Sequence, residues 1–145
     1  MSEKIDIHKT DLRYEKTLEK LKKNKNIIQK NKELIIQFLS DCQLGKTIKR
    51  GRKKQIGPAR CLRYLFDLKQ LSLWLNKPFD EITQKDMEQF ISHLEQGKFM
   101  MKNKKKYSDR TKLDFKNTLR KFYKWLYGNN DHYPDIVSWI DTYEK

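Results

Sequence analysis

The chain has 145 residues, enough for one domain or one domain with appended segments. Its 33 Lys and Arg outnumber 19 Asp and Glu, and the resulting charge of +14 implies a polyanionic partner, either nucleic acid or an anionic membrane surface. Apolar runs are short, with Leu71 to Leu75 already broken by Ser72, so no membrane-spanning helix is expected. The mixed-charge start MSEKIDIHKTD lacks the apolar block of a secretory signal, so a cytoplasmic protein is the expectation.

Strand-type alternation is missing and helical periodicity recurs, which gives an all-α class. Residues 1–23 hold a weakly amphipathic piece around Leu12, Leu18 and Leu21 and read as an arm or a marginal helix. From Lys25 to Leu44, Ile27, Ile28, Leu34, Ile35, Phe38 and Leu39 make a first core helix, closed by Gly45. Eight basic residues and no acid then lie between Asp41 and Asp67, in a loop marked by Gly51, Gly57 and Pro58.

Pro58 suits the first turn of a second helix, Pro58 to Asn76. That helix is apolar over much of its circumference, including Tyr64, Phe66 and Leu73. Only a narrow polar strip of Arg60, Arg63, Asp67 and Gln70 is left to reach solvent or a ligand. After the turn Lys77-Pro78-Phe79, Thr83 and Asp86 form a capping-box pair, with Ile82 and Met87 as a hydrophobic staple. The third helix has Met87, Phe90, Ile91 and Leu94 as its core face. Its surface carries Glu88 and Glu95, and it should face away from a polyanion. Gly97 ends it, and a lysine-rich loop follows.

The fourth helix, Ser108 to Tyr127, is polarised. Phe115, Leu119, Phe122 and Leu126 share one face, with Trp125 at its margin, while Lys112, Lys116, Arg120 and Lys124 follow one another at i, i+4 along another. Asp109 and Asp114 are its only acids, so a cationic row of this kind suits a phosphate backbone. Gly128 stops the helix, and Ile136, Val137, Trp139 and Ile140 make a short amphipathic tail. Residues 24–127 thus read as one four-helix domain, with 1–23 and 128–145 as appendages. Cys42 and Cys61 have no metal-type spacing and should be buried, reduced and inert. The three histidines are scattered, and no metal, cofactor or small-molecule substrate is expected.

Three motifs in this order, the Tyr64…Asp67-Leu68 helix, the turn and helix from Lys77 to Leu94 and the helix YSDRTKLDFKNTLRKFYKWL, resemble the core-binding domain of tyrosine recombinases, the phage-integrase family. The resemblance is strongest to the archaeal and mobile-element branch. It takes in the Pro134–Ile140 tail and covers roughly residues 24–140. It implies a SAM-like bundle of four to five helices forming half of a clamp on duplex DNA. The N-terminal parts of the second and fourth helices would approach the major groove and its phosphates. Carried over by position, these parts hold Arg60, Arg63 and Tyr64 on the second helix, and Ser108, Arg110, Thr111, Lys112, Lys116 and Arg120 on the fourth. Lys53 and Lys54 in the first basic loop, and Lys105 and Lys106 in the second, add cations that the minimal motif lacks.

The family's chemistry belongs to a second domain with a His-x-x-Arg pair and a nucleophilic Tyr. Here the histidine contexts are HKTD, HLEQ and HYPD, and the chain ends where that domain would begin. The expectation is a DNA-binding module of a site-specific recombinase that does not itself cut DNA. An RNA-binding or ribosome-associated helical protein fits the composition equally, although few aromatics lie outside apolar faces to stack splayed bases. A third reading is a protein–protein adaptor with an incidental basic surface; the resemblance implies contact between neighbouring protomers on DNA, with the acidic third helix meeting a basic patch on a neighbour.

Overall fold

The computed structural model describes residues 2–47, 55–99, 105–128 and 132–142. Among them are six α-helices and one 3-10 turn, and no strand: α1 Ser2–Lys23, α2 Gln29–Gln43, α3 Pro58–Leu75, the turn Phe79–Glu81, α4 Gln84–Glu95, α5 Asp109–Leu126 and α6 Asp135–Ser138. The all-α class expected from periodicity is the class observed. The chain divides into two compact units, Met1–Pro78 and Phe79–Lys145.

In the first unit α3 packs against α1 and α2. The N-terminal segment forms a full helix, Ser2–Lys23, with Tyr14 and Leu21 buried. Helix α2 begins at Gln29, later than periodicity suggests, because the Asn24 side chain accepts a bond from the Asn26 N–H (2.8 Å) and holds the preceding residues in a turn. Its buried face, Ile35, Phe38, Leu39 and Cys42, also carries Asn31 and Lys32. Both polar groups have partners, as buried polar groups require. Asn31 donates to Ser72 Oγ (2.9 Å) and to the Lys77 carbonyl (2.8 Å), and Lys32 donates to the Lys22 carbonyl near the end of α1 (3.1 Å). Gly45 closes α2 in the left-handed region (φ 74°), and the Lys46 N–H bonds back to the Asp41 carbonyl.

In the second unit α4, α5 and α6 pack together. The capping box at the start of α4 has both bonds, Asp86 N–H to Thr83 Oγ1 and Thr83 N–H to an Asp86 carboxylate oxygen, each 3.1 Å. Met87, Phe90, Ile91 and Leu94 are buried as the pattern requires. The core face of α5 is Phe115, Thr118, Leu119, Phe122 and Tyr123. Tyr123 was not among the residues predicted for the core. It is fully buried and donates its hydroxyl proton to the Phe79 carbonyl (2.9 Å), while the Phe79 ring meets Phe122 edge-on. The C-terminal segment joins this core through Ile136, Val137 and Ile140. Trp139, expected on the same apolar face, is instead partly exposed.

Candidate nucleic-acid interface

Around the start of α5, Ser108 caps the helix by accepting the Thr111 N–H (3.1 Å), and its hydroxyl also bonds to Thr111 Oγ1 (3.0 Å). Lys105, Lys106, Ser108 and Arg110 are exposed, and Thr111 is half-buried. Arg110 pairs with Asp114, one turn on, at 3.4 Å, but its side chain stays 63% exposed. The Lys106 stem lies beside Gly97, which has φ 69° at the end of α4. Three exposed cations thus flank the start of α5 along the chain, and a helix N-terminus favours an anion.

Further along α5 the cationic row differs from the free stripe that the sequence suggests. Lys112 Nζ donates to the Glu95 carbonyl (3.4 Å), and Lys116 Nζ pairs with the Glu95 carboxylate, leaving the Lys116 side chain only 15% exposed. Arg120 places its guanidinium 4.0 Å from the centroid of the Tyr133 ring and donates from Nη1 to Thr142 Oγ1 (3.0 Å). Lys124 Nζ lies 4.8 Å from the same ring centroid. The row is thus engaged in its first half by α4 and in its second half by the C-terminal segment. Glu95, Tyr133 and Thr142 are the participants that the sequence reading did not include.

On α3 in the first unit, Arg60 is exposed and Arg63 half-buried. Arg63 Nε sits 3.3 Å from a carboxylate oxygen of Asp67, whose side chain is 3% exposed. The outward strip of α3 accordingly runs through Arg60, Arg63, Phe66, Gln70 and Leu73, with Asp67 turned inward and Phe66 and Leu73 turned outward, the reverse of the expected arrangement. Tyr64 is buried beside Phe38, ring centroids 5.7 Å apart, and burial pushes its phenol up to about 12. It is a core residue. Lys53 and Lys54 lie outside the described residues. The described residues contain no group of three or more His, Cys, Asp or Glu side chains arranged to hold a metal ion, and no helix long and apolar enough to cross a membrane.

Chemically, these surfaces offer cations, helix N-termini and a capping hydroxyl, the inventory that contacts phosphate oxygens. No curated protein and no solved structure matches the chain. Residues 61–132, about half of it, match the model of the family described as phage integrase, N-terminal SAM-like domain; the match names no branch within that family. The segment begins at Cys61 within α3, just after Arg60, and runs through α4 and all of α5. The chain therefore belongs to the phage-integrase family of tyrosine recombinases, and residues 61–132 are its N-terminal SAM-like domain.

Proposed function

We propose that this chain is a duplex-DNA-binding module of a site-specific tyrosine recombinase, acting on DNA in the prokaryotic cytoplasm and leaving strand cleavage to a separate catalytic domain. The observation that carries the reading is that the exposed Lys105, Lys106 and Arg110 flank the capped start of α5, inside the segment that matches an integrase domain. Arg60 and Arg63 at the start of α3 supply a second set of phosphate contacts from the first unit. Arginine at these positions also offers a bidentate fork to guanine, so Arg60 and Arg110 are the candidates for base reading.

Three of the seven tyrosines are poorly suited to attack a phosphate. Burial raises the phenols of Tyr14 and Tyr64 to about 12 and that of Tyr123 well above its ordinary value, the opposite of what a nucleophile needs. With about six to eight cations on phosphates, log K should fall against log salt with a slope of roughly −5 to −7.

The test is a variant with Lys105, Lys106 and Arg110 all changed to Ala, titrated with duplex DNA over a range of salt. The expected result is weaker binding and a slope shallower by about 2 to 3, since each lost phosphate contact removes about 0.9. Binding equal to the parent's at matched salt would overturn the assignment. A second reading, single-stranded or structured RNA, draws on the exposed rings of Tyr127 and Trp139, which stand outside the core. Competition between duplex DNA and structured RNA at one salt concentration separates the two.

A further inference from the structure

We propose that the C-terminal segment 132–142 is an intramolecular competitor for the DNA-binding row of α5, a strap whose Tyr133 must leave Arg120 and Lys124 before they can reach a phosphate. The inference rests on the DNA-binding reading and adds a regulation to it.

Two sets of contacts hold the strap, and they differ in kind. Ile136, Val137 and Ile140 are buried in the core of the second unit and fix the body of the segment. Tyr133 lies ahead of that anchor and is itself partly exposed. Its ring covers two cations of one helix face, the Arg120 guanidinium carbon at 4.0 Å and Lys124 Nζ at 4.8 Å. The body can therefore stay docked while the tyrosine swings away.

The contact is of a strength that a phosphate can displace. Cation–π attraction at a partly exposed site is weak, whereas a bond from guanidinium to phosphate is charge-assisted and can be bidentate. Arg120 is also incompletely served where it stands. Nη1 has Thr142 Oγ1, but Nε is buried with no hydrogen-bond acceptor, and a buried donor left unsatisfied is costly. A phosphate oxygen would meet that donor. The strap thus shields two cations when no polyanion is present and yields to one that binds strongly enough.

The variant Tyr133→Ala removes the cover, Tyr133→Phe keeps the ring, and Thr142→Val removes only the Arg120 bond. Each is titrated with duplex DNA across salt by fluorescence anisotropy, and each is run on a heparin column as a polyanion without bases. Circular dichroism confirms the helices. The expected result is duplex binding about three- to tenfold tighter for Tyr133→Ala, with a slope steeper by about 1 to 2 as two cations become available. Thr142→Val should move the same way by less, and Tyr133→Phe should match the parent. Binding of Tyr133→Ala no tighter than that of a parent that binds DNA overturns the strap and leaves the function intact. If the parent ignores duplex DNA, the functional reading fails. The strap is then judged on heparin alone, where Tyr133→Ala must elute at higher salt and unchanged elution overturns it. Should Tyr133→Ala lose its helices, Thr142→Val decides by the same criteria.

Discussion

The Glu95 carboxylate at the end of α4 is paired with the Lys116 ammonium in the middle of α5, and the Glu95 carbonyl accepts from Lys112 as well. One residue thus engages two members of the cationic row. Its carboxylate is half exposed, so its net contribution to stability is small, about 0.5 to 1 kcal/mol. On the proposed DNA-binding reading its effect on a bound polyanion is larger in proportion, because it sets a negative charge beside two of the cations. Glu95→Gln should lower stability by no more than that amount in urea titrations and tighten duplex binding several-fold at low salt. The gain should shrink as salt rises, since a screened charge repels less. Unchanged affinity at low salt would mean that Lys116 does not face the DNA.

The start of α4 offers a test of local structure that is separate from binding. Thr83 and Asp86 exchange bonds across the first turn, and Ile82 and Met87 are buried on either side. Thr83→Ala removes the acceptor for the Asp86 N–H and should cost about 1 kcal/mol, while Thr83→Ser should cost much less. Urea midpoints of the two variants check this, and equal midpoints would show that the cap is dispensable.

Those elements with local determinants were legible in the sequence. The capping box needs only residues three apart, and the buried row of α4 needs only helical spacing, so both could be read directly. What was missed depends on partners distant in the chain. Tyr123 lies between Phe122 and Lys124 and reads as a boundary position, and its burial is permitted by a carbonyl 44 residues away that accepts its hydroxyl. Lys112 and Arg120 meet partners 17 and 22 residues away, so the row looked free when only helix periodicity was considered. On α3 the difficulty was phase. A helix apolar nearly all round does not say which side faces inward, and the Arg63–Asp67 pair allowed the acid to turn in while Phe66 and Leu73 turned out.

The two faces of α5 should respond to substitution in opposite ways. Leu119 has no exposed surface, and Leu119→Ala removes packed methyl groups at a cost of about 2 to 5 kcal/mol. Lys112 is half-buried and bonded to a single carbonyl at 3.4 Å, so Lys112→Ala should leave the denaturation midpoint within about 0.5 kcal/mol of the parent while weakening duplex binding. Denaturant titration together with anisotropy checks both. A large stability loss from Lys112→Ala would show that the lysine is part of the packing.

Alkaline pH should unfold the first unit through its buried phenols. Tyr14 and Tyr64 are both pushed up to about 12, mainly by burial, with the nearby Cys42 and Cys61 thiols adding to the effect in each case. An unfolded tyrosine loses its proton near 10, so between about pH 10 and 12 the unfolded chain holds fewer protons than the folded one. Stability is therefore complete below about pH 10 and is lost as the pH climbs towards 12. Phenolate absorbance and far-ultraviolet circular dichroism, followed together, should show a cooperative loss of helix as Tyr14 and Tyr64 ionise. Tyr14→Phe removes one of the linked protons and should flatten the fall in stability over that window. If every phenol ionised near 10 with the helices retained, the burial of these two rings would not be coupled to the fold in this way.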